Sequence, residues 1–130
     1  MATGTTASRR IVIADNDPEV LELVANDLRA EGHDVVGTTT SGSDALDLCH
    51  RLHPDVLIVD FRMPGGPDGI EVTRRLRAND NAIEIILYTN YRRSDLQQRA
   101  TRLGATFLAK GNIRALRRAI ASAVARPSPD

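Results

Sequence analysis

Asp55-Val56-Leu57-Ile58-Val59-Asp60 is the stretch from which the rest of the chain is read. A continuous apolar run stands between two carboxylates, with no polar residue to mark a wet face. Such a run suits a parallel strand covered on both sides. Working outward from this third run, Asp55–Val59, similar runs fall at Arg10–Ala14, Asp34–Thr38, Ile83–Tyr88 and Thr106–Ala109. Asp34-Val35-Val36-Gly37-Thr38 is the most polar of them and suits a sheet edge.

Helical segments alternate with these runs. Asp17-Pro18-Glu19 supplies a capping Asp, a first-turn Pro and an acid at the positive helix end, followed by Val20, Val24 and Leu28 at helical spacing. Ser41 or Ser43 caps a second helix whose Ala45, Leu48, Cys49 and Leu52 share one face, which makes Cys49 a small core residue. A third helix begins near Ile70 after the Asp68-Gly69 turn. A fourth carries Leu96, Ala100 and Leu103 and ends at Gly104; a fifth carries Ile113, Leu116, Ile120 and Ala123. Five strand–helix units predict an α/β doubly wound sheet of five parallel strands, order 2-1-3-4-5, with helices on both faces. A chain of 130 residues is too short for an eightfold barrel.

Composition sets the outer bounds. The apolar share of 42% and charged share of 26% suit one folded domain, and no stretch approaches the roughly 18 apolar residues of a membrane helix. The start, MATGTTASRR, lacks the apolar core of a secretory signal, so the expected location is cytoplasmic. Residues 1–8 read as a flexible arm, 9–126 as the domain and 127–130 as a linker stub or tail. His33, His50 and His53 are expected near turns and in solvent. Seventeen basic and seventeen acidic residues give zero net charge, which argues against direct nucleic-acid binding. That zero is a sum of opposites: residues 1–91 carry 8 basic and 15 acidic groups, residues 92–126 carry 9 and 1.

In open α/β sheets chemistry gathers beyond the carboxyl ends of the strands. There this chain places Asp15, Asp60, Thr89 and Lys110. Lys110 is the only lysine beside sixteen arginines, as expected where a compact, flexible point charge is wanted near a phosphoryl group. Two facing carboxylates repel unless a cation lies between them, and Mg²⁺ suits an all-oxygen site. The set fits phosphoryl transfer to a carboxylate better than acid–base hydrolysis.

These residues resemble a response-regulator receiver domain of two-component signalling. The likeness runs over Ile11-Val12-Ile13-Ala14-Asp15-Asn16-Asp17-Pro18, Asp55 to Pro64, Asp68-Gly69, Tyr88-Thr89 and Gly104 to Lys110. It implies a flavodoxin-like (βα)5 fold and a phosphoacceptor rather than an enzyme, with at most self-phosphorylation from small donors and autodephosphorylation. Asp60 would be the phosphoacceptor, and Thr89 and Lys110 would contact the phosphoryl group. Asp15, Asp60, the Arg62 backbone carbonyl and, more weakly, Asn16 would hold Mg²⁺. Thr89 and Phe107 would form the switch pair, although Phe107 also reads as an ordinary apolar residue of a strand. Implied partners are a histidine kinase or phosphotransfer protein, and an output domain or partner protein at the basic face of residues 92–126.

The departures are specific. Asn16 stands where the family carries a second acid, which implies weak Mg²⁺ binding; Asp17, the nearest substitute, reads as a helix cap. Asn90 is larger than usual after Thr89, Gly111 replaces a frequent Pro, and Gly65-Gly66-Pro67 lengthens the loop after Asp60. A degenerate receiver, binding partners without phosphorylation, is therefore the alternative. A more remote one is a haloacid-dehalogenase-like phosphatase with Asp15 as nucleophile.

Overall fold

The computed structural model describes residues 7–80, 82–91 and 93–126. The expected arm and tail therefore lie outside the described residues, apart from exposed Ala7 and Ser8. Five strands alternate with five helices: β1 (Arg10–Ala14), α1 (Pro18–Ala30), β2 (Asp34–Thr39), α2 (Gly42–Leu52), β3 (Val56–Val59), α3 (Gly69–Asn79), β4 (Glu84–Thr89), α4 (Ser94–Arg102), β5 (Thr106–Ala109) and α5 (Ile113–Ser122). All neighbours pair in parallel, in the order β2-β1-β3-β4-β5.

The period-two alternation of strand side chains divides the interior between the two faces of the sheet. Ile11, Ile13, Ile58 and Ile86 face α1 and α5, where Leu28, Leu116 and Ile120 close over them. Val12, Leu57, Ile85 and Leu87 face the other way, onto Cys49, Leu76, Leu96 and Ala100. β1, β3 and β4 are buried almost throughout, whereas β2 and β5 are half-buried edges. Asp17 caps α1 through the Glu19 N–H, and Ser41 rather than Ser43 caps α2.

The structure corrects several expectations. β4 lies one residue later than Ile83–Tyr88, β2 reaches Thr39, and β3 begins at Val56. Asp55 stands just before the strand, its main chain still bonded to Arg10 and Glu84, while its side chain gathers two segments: Oδ2 accepts the Arg10 N–H at 2.7 Å and Oδ1 the Arg126 N–H at 2.5 Å. The segment after α5 is held as well, since the Arg126 guanidinium pairs with Asp80 at 2.8 Å and donates to the Pro54 carbonyl at 3.0 Å. His33 is not solvated but buried, and its Nδ1 accepts the Arg9 N–H at 3.1 Å. Burial, with the Arg9 charge adding, holds its pKa below the ordinary histidine value. His50 and His53 are exposed, and His53 ends α2 in the left-handed conformation.

Arg77 is a further long-range tie. Its guanidinium leaves α3 and donates to the carbonyls of Leu103 (2.7 Å) and Gly104 (3.1 Å) at the end of α4, and to Ile83 (2.6 Å) before β4. Several orphan carbonyls are thus satisfied by one cation.

Candidate functional site

Register brings the site residues together. Ala14 pairs with Val59, so Asp15 and Asp60 leave adjacent strands side by side. Thr89 pairs with Ala109, so Lys110 emerges next to them from β5. The Lys110 ammonium lies 3.1 Å from Asp15 Oδ1, 2.9 Å from Asp15 Oδ2 and 3.0 Å from Asp60 Oδ2. A rotatable ammonium can meet three oxygens on two carboxylates in this way, whereas a planar guanidinium favours bidentate pairing with one. The three side chains are close to fully buried, at 12%, 4% and 6% exposure for Lys110, Asp15 and Asp60.

The remaining contacts fix each carboxylate. Asp15 Oδ1 accepts the Asp17 N–H at 2.9 Å, and Asp60 Oδ1 accepts the Phe61 N–H at 2.8 Å. Gly69 lets α3 approach: a Cβ there would lie 2.2 Å from the Asp60 carbonyl oxygen, so any side chain would push the helix away. Burial pushes the Asp15 carboxyl up and the Asp60 charge adds to this, against hydrogen bonds from Lys110 and Asp17. Burial also opposes the charge on Lys110, but its bonds to Asp15 and Asp60 outweigh that and raise its pKa. One ammonium thus faces two buried carboxylates.

Asn16 is exposed at the rim, and its Nδ2 donates to the Arg62 carbonyl at 2.8 Å. The nitrogen must face that oxygen, because a carbonyl can only accept. Asp17 caps α1, and among the described residues its side chain makes no hydrogen bond to the Asp15 or Asp60 carboxylate. As a test of Mg²⁺, the donors Asp15, Asp60 and the Arg62 carbonyl are hard oxygens of the right kind. The charge available is one carboxylate in excess over Lys110, and the Arg62 carbonyl already has a partner. The residues fit the ion in chemistry, and weakly. Among the described residues no group of three or more His, Cys, Asp or Glu side chains is arranged to hold a metal.

Thr89 is fully buried. Its hydroxyl oxygen accepts the Tyr91 N–H at 3.2 Å, and among the described residues it bonds to neither Asp60 nor Lys110. Phe107 pairs with Leu87 and is half-buried against the core that faces α4. A cleft of about 240 Å³ opens over Asp60, with Asn16, Arg62, Thr89, Asn90 and Lys110 among its lining.

Sequence reasoning missed the aromatic side of this cleft. Phe61 and Tyr91 meet edge to face at 5.4 Å, and the Arg62 guanidinium sits 4.8 Å from the centre of the Tyr91 ring. The Arg62 side chain, as well as its carbonyl, therefore helps to frame the cleft. A signal did exist: the chain has only two Phe and two Tyr, and each stands within three residues of Asp60, Thr89 or Lys110. Cys49 is buried as expected, and burial, with the Asp80 charge adding, pushes its thiol up to about 12.

Comparison with known proteins agrees with this geometry. The DNA-binding response regulator MtrA of Mycolicibacterium smegmatis is 40% identical over 86 residues, which are 65% of this chain and 36% of MtrA. Sporulation initiation phosphotransferase F of Bacillus subtilis is 32% identical over 98 residues, 75% of this chain and 77% of that protein. The isolated REC domain of RcsB from Salmonella enterica serovar Typhimurium, solved with phosphomimetic BeF3-, superposes with a TM-score of 0.80 at 26% identity, covering 89% of this chain and 88% of that one. The chain spans less than half the length of MtrA and of several other curated relatives. The profile of the response regulator receiver domain matches residues 11–121, from β1 into α5. With order β2-β1-β3-β4-β5 and two acids, a hydroxyl and a lysine at one sheet edge, the chain belongs to the response-regulator receiver domain family.

Proposed function

We propose that this receiver domain is a phosphorylation-driven switch with Asp60 as acceptor. The observation that carries the reading is the Lys110 ammonium held between Asp15 and Asp60 at 2.9–3.1 Å. An Asp60 carboxylate oxygen attacks phosphorus of a phosphohistidine on a kinase or phosphotransfer protein. The new O–P bond forms as the P–N bond breaks, and the electron pair returns to the imidazole nitrogen. Lys110 then has a phosphoryl oxygen to bind in place of an Asp60 oxygen. Mg²⁺, held by Asp15, Asp60 and the Arg62 carbonyl beside Asn16, supplies charge neutralisation for the phosphoryl oxygens when bound. Thr89 is the hydroxyl placed to follow the phosphoryl group, and Phe107, on the α4 side of β5, is the ring placed to respond.

One observation favours the second reading, a receiver that works without phosphorylation. Asn16 brings a neutral amide, already donating to the Arg62 carbonyl, where an acid would bring charge, so a metal ion there shares that oxygen and gains no carboxylate from position 16. The phosphatase alternative, with Asp15 as nucleophile, is not carried further: the receiver-family match covers the chain from residue 11 to 121.

The signalling surface is narrower than the charge count of residues 92–126 implied. Lys110 serves the site, Arg117 pairs with Asp27 on α1, Arg126 with Asp80 and Arg93 with Asp95; Arg92 lies outside the described residues. Arg99 and Arg102 on α4, with Arg114 and Arg118 on α5, are exposed and make no ion pair among the described residues. These four are the proposed contact for an acidic output domain or partner protein, and binding there weakens as salt is raised.

Intact-mass measurement after treatment with a small phosphodonor and Mg²⁺ tests the main reading. One added phosphoryl group, absent in Asp60→Asn, supports it; no addition at any Mg²⁺ concentration overturns it in favour of the second. Asn16→Asp is expected to tighten Mg²⁺ by about tenfold or more through the added carboxylate charge, read by titration of a spectroscopic probe.

A further inference from the structure

Lys110 stands one residue beyond β5, where the strand ladder no longer holds it. Its own N–H donates to the Thr89 carbonyl at 3.1 Å. The next N–H, that of Gly111, donates to the phenol oxygen of Tyr88 at 2.9 Å. The peptide groups on both sides of the Lys110 Cα are therefore tied to consecutive residues of β4, one through main chain and one through a side chain. The Gly111 carbonyl accepts the Ile113 N–H at 3.0 Å, a local bond into the start of α5, whereas the Tyr88 hydroxyl is the partner of its N–H. Gly111 is exposed, adopts φ +93°, and a Cβ built on it would meet no atom within 4 Å. Tyr88, in contrast, is 4% exposed, its ring packed among Ile13, Ile58 and Leu116 between the sheet and α5. A buried phenol with only two side-chain torsions is a stiff arm. The bond also needs an N–H at position 111, which a proline there would lack.

We infer that Tyr88 is a positioning residue for the phosphoacceptor site: its hydroxyl fixes the Lys110–Gly111 peptide and so aims the Lys110 ammonium between Asp15 and Asp60. The effect on phosphoryl transfer rests on the proposed acceptor role of Asp60; the effect on Lys110 does not. A buried tyrosine hydroxyl that merely finds the nearest amide would leave Lys110 indifferent to its loss.

Tyr88→Phe in the full chain removes one oxygen, and water can reach the exposed Gly111 amide, so the thermal midpoint is expected to stay close to that of the native protein. Three readouts follow. In the native protein the Gly111 amide is protected from hydrogen exchange, and in the variant it exchanges about five- to tenfold faster, the scale of one lost hydrogen bond. The Lys110 side-chain ammonium, observed by nitrogen-edited NMR, is ordered in the native protein and broadens in the variant. Phosphoryl uptake from a small donor at saturating Mg²⁺ slows by about tenfold. A native Gly111 amide without protection, or a variant with an unchanged ammonium signal, overturns the inference. If the native protein takes up no phosphoryl group, the acceptor reading fails and the ammonium signal alone decides the positioning role.

Discussion

β3 lies between two buried aspartates, Asp55 before Val56 and Asp60 after Val59, 4% and 5% exposed. Their depth is the same and their partners are not. Asp55 receives backbone N–H groups from two distant segments, at Arg10 and Arg126, and so joins the first strand and the tail of α5 to the centre of the sheet. Asp60 receives its own neighbour's N–H and an ammonium that it shares with a second carboxylate. The first end of the sheet is satisfied and closed. The second carries one negative charge more than Lys110 balances, and the proposed acceptor role of Asp60 rests on that excess. Equal burial thus accompanies two different kinds of partner, main-chain amides at one end and a shared ammonium at the other.

The largest expected effect comes from removing the cation at the reactive end. Lys110→Met leaves two facing carboxylates without it, at about 3–5 kcal/mol in urea unfolding at pH 7. Burial already holds the Asp15 carboxyl above its ordinary value, and loss of the Lys110 hydrogen bond removes the main opposing influence. The deficit is therefore expected to shrink as the pH is lowered and Asp15 takes up a proton. A deficit independent of pH would show that Lys110 acts through its stem rather than its charge.

Next come matched substitutions at the two aspartates. Asp55→Asn sets an amide NH₂ against one of two fixed N–H donors and is expected to lose about 2–3 kcal/mol. Asp60→Asn creates the same conflict with Lys110, but the ammonium can turn wholly to Asp15. That change is expected to stay within about 1 kcal/mol while abolishing phosphoryl uptake. Equal losses from the two variants, measured by urea unfolding, would erase the contrast between the ends.

The smallest effect concerns His33, at the closed end beside Arg9. Its folded pKa is lowered, so protonation favours the unfolded chain. Stability is complete above the ordinary value of 6.5 and falls as the pH drops through and below it. The thermal midpoint between pH 7.5 and 5.5 should fall more steeply in the native protein than in His33→Gln.

What could be read from the chain beforehand follows the same division. Strand order, the Asp17 cap and the four strand-end residues were legible because apolar runs, capping residues and strand termini are local patterns. His33, Asp55 and Tyr88 were not, because their partners lie 24, 71 and 23 residues away and are brought near only by the sheet order. Asn16 was legible as a missing acid, but not as a donor that holds the Arg62 carbonyl, since that contact spans 46 residues. The charge asymmetry was visible and overstated, because Arg117 and Arg126 find their acids on α1 and next to α3.

Arg77 gives α4 a mechanical character. It grips the Leu103 and Gly104 carbonyls at one end of the helix, while the other end begins after Arg93 with no side-chain cap, near Tyr91, whose N–H rests on Thr89. Leu96 and Ala100 seat the nine residues between these ends on the core. In those terms α4 is a strut with unequal anchorage: a charged clamp to α3 holds one end, and a single main-chain bond to the Thr89 hydroxyl lies near the other.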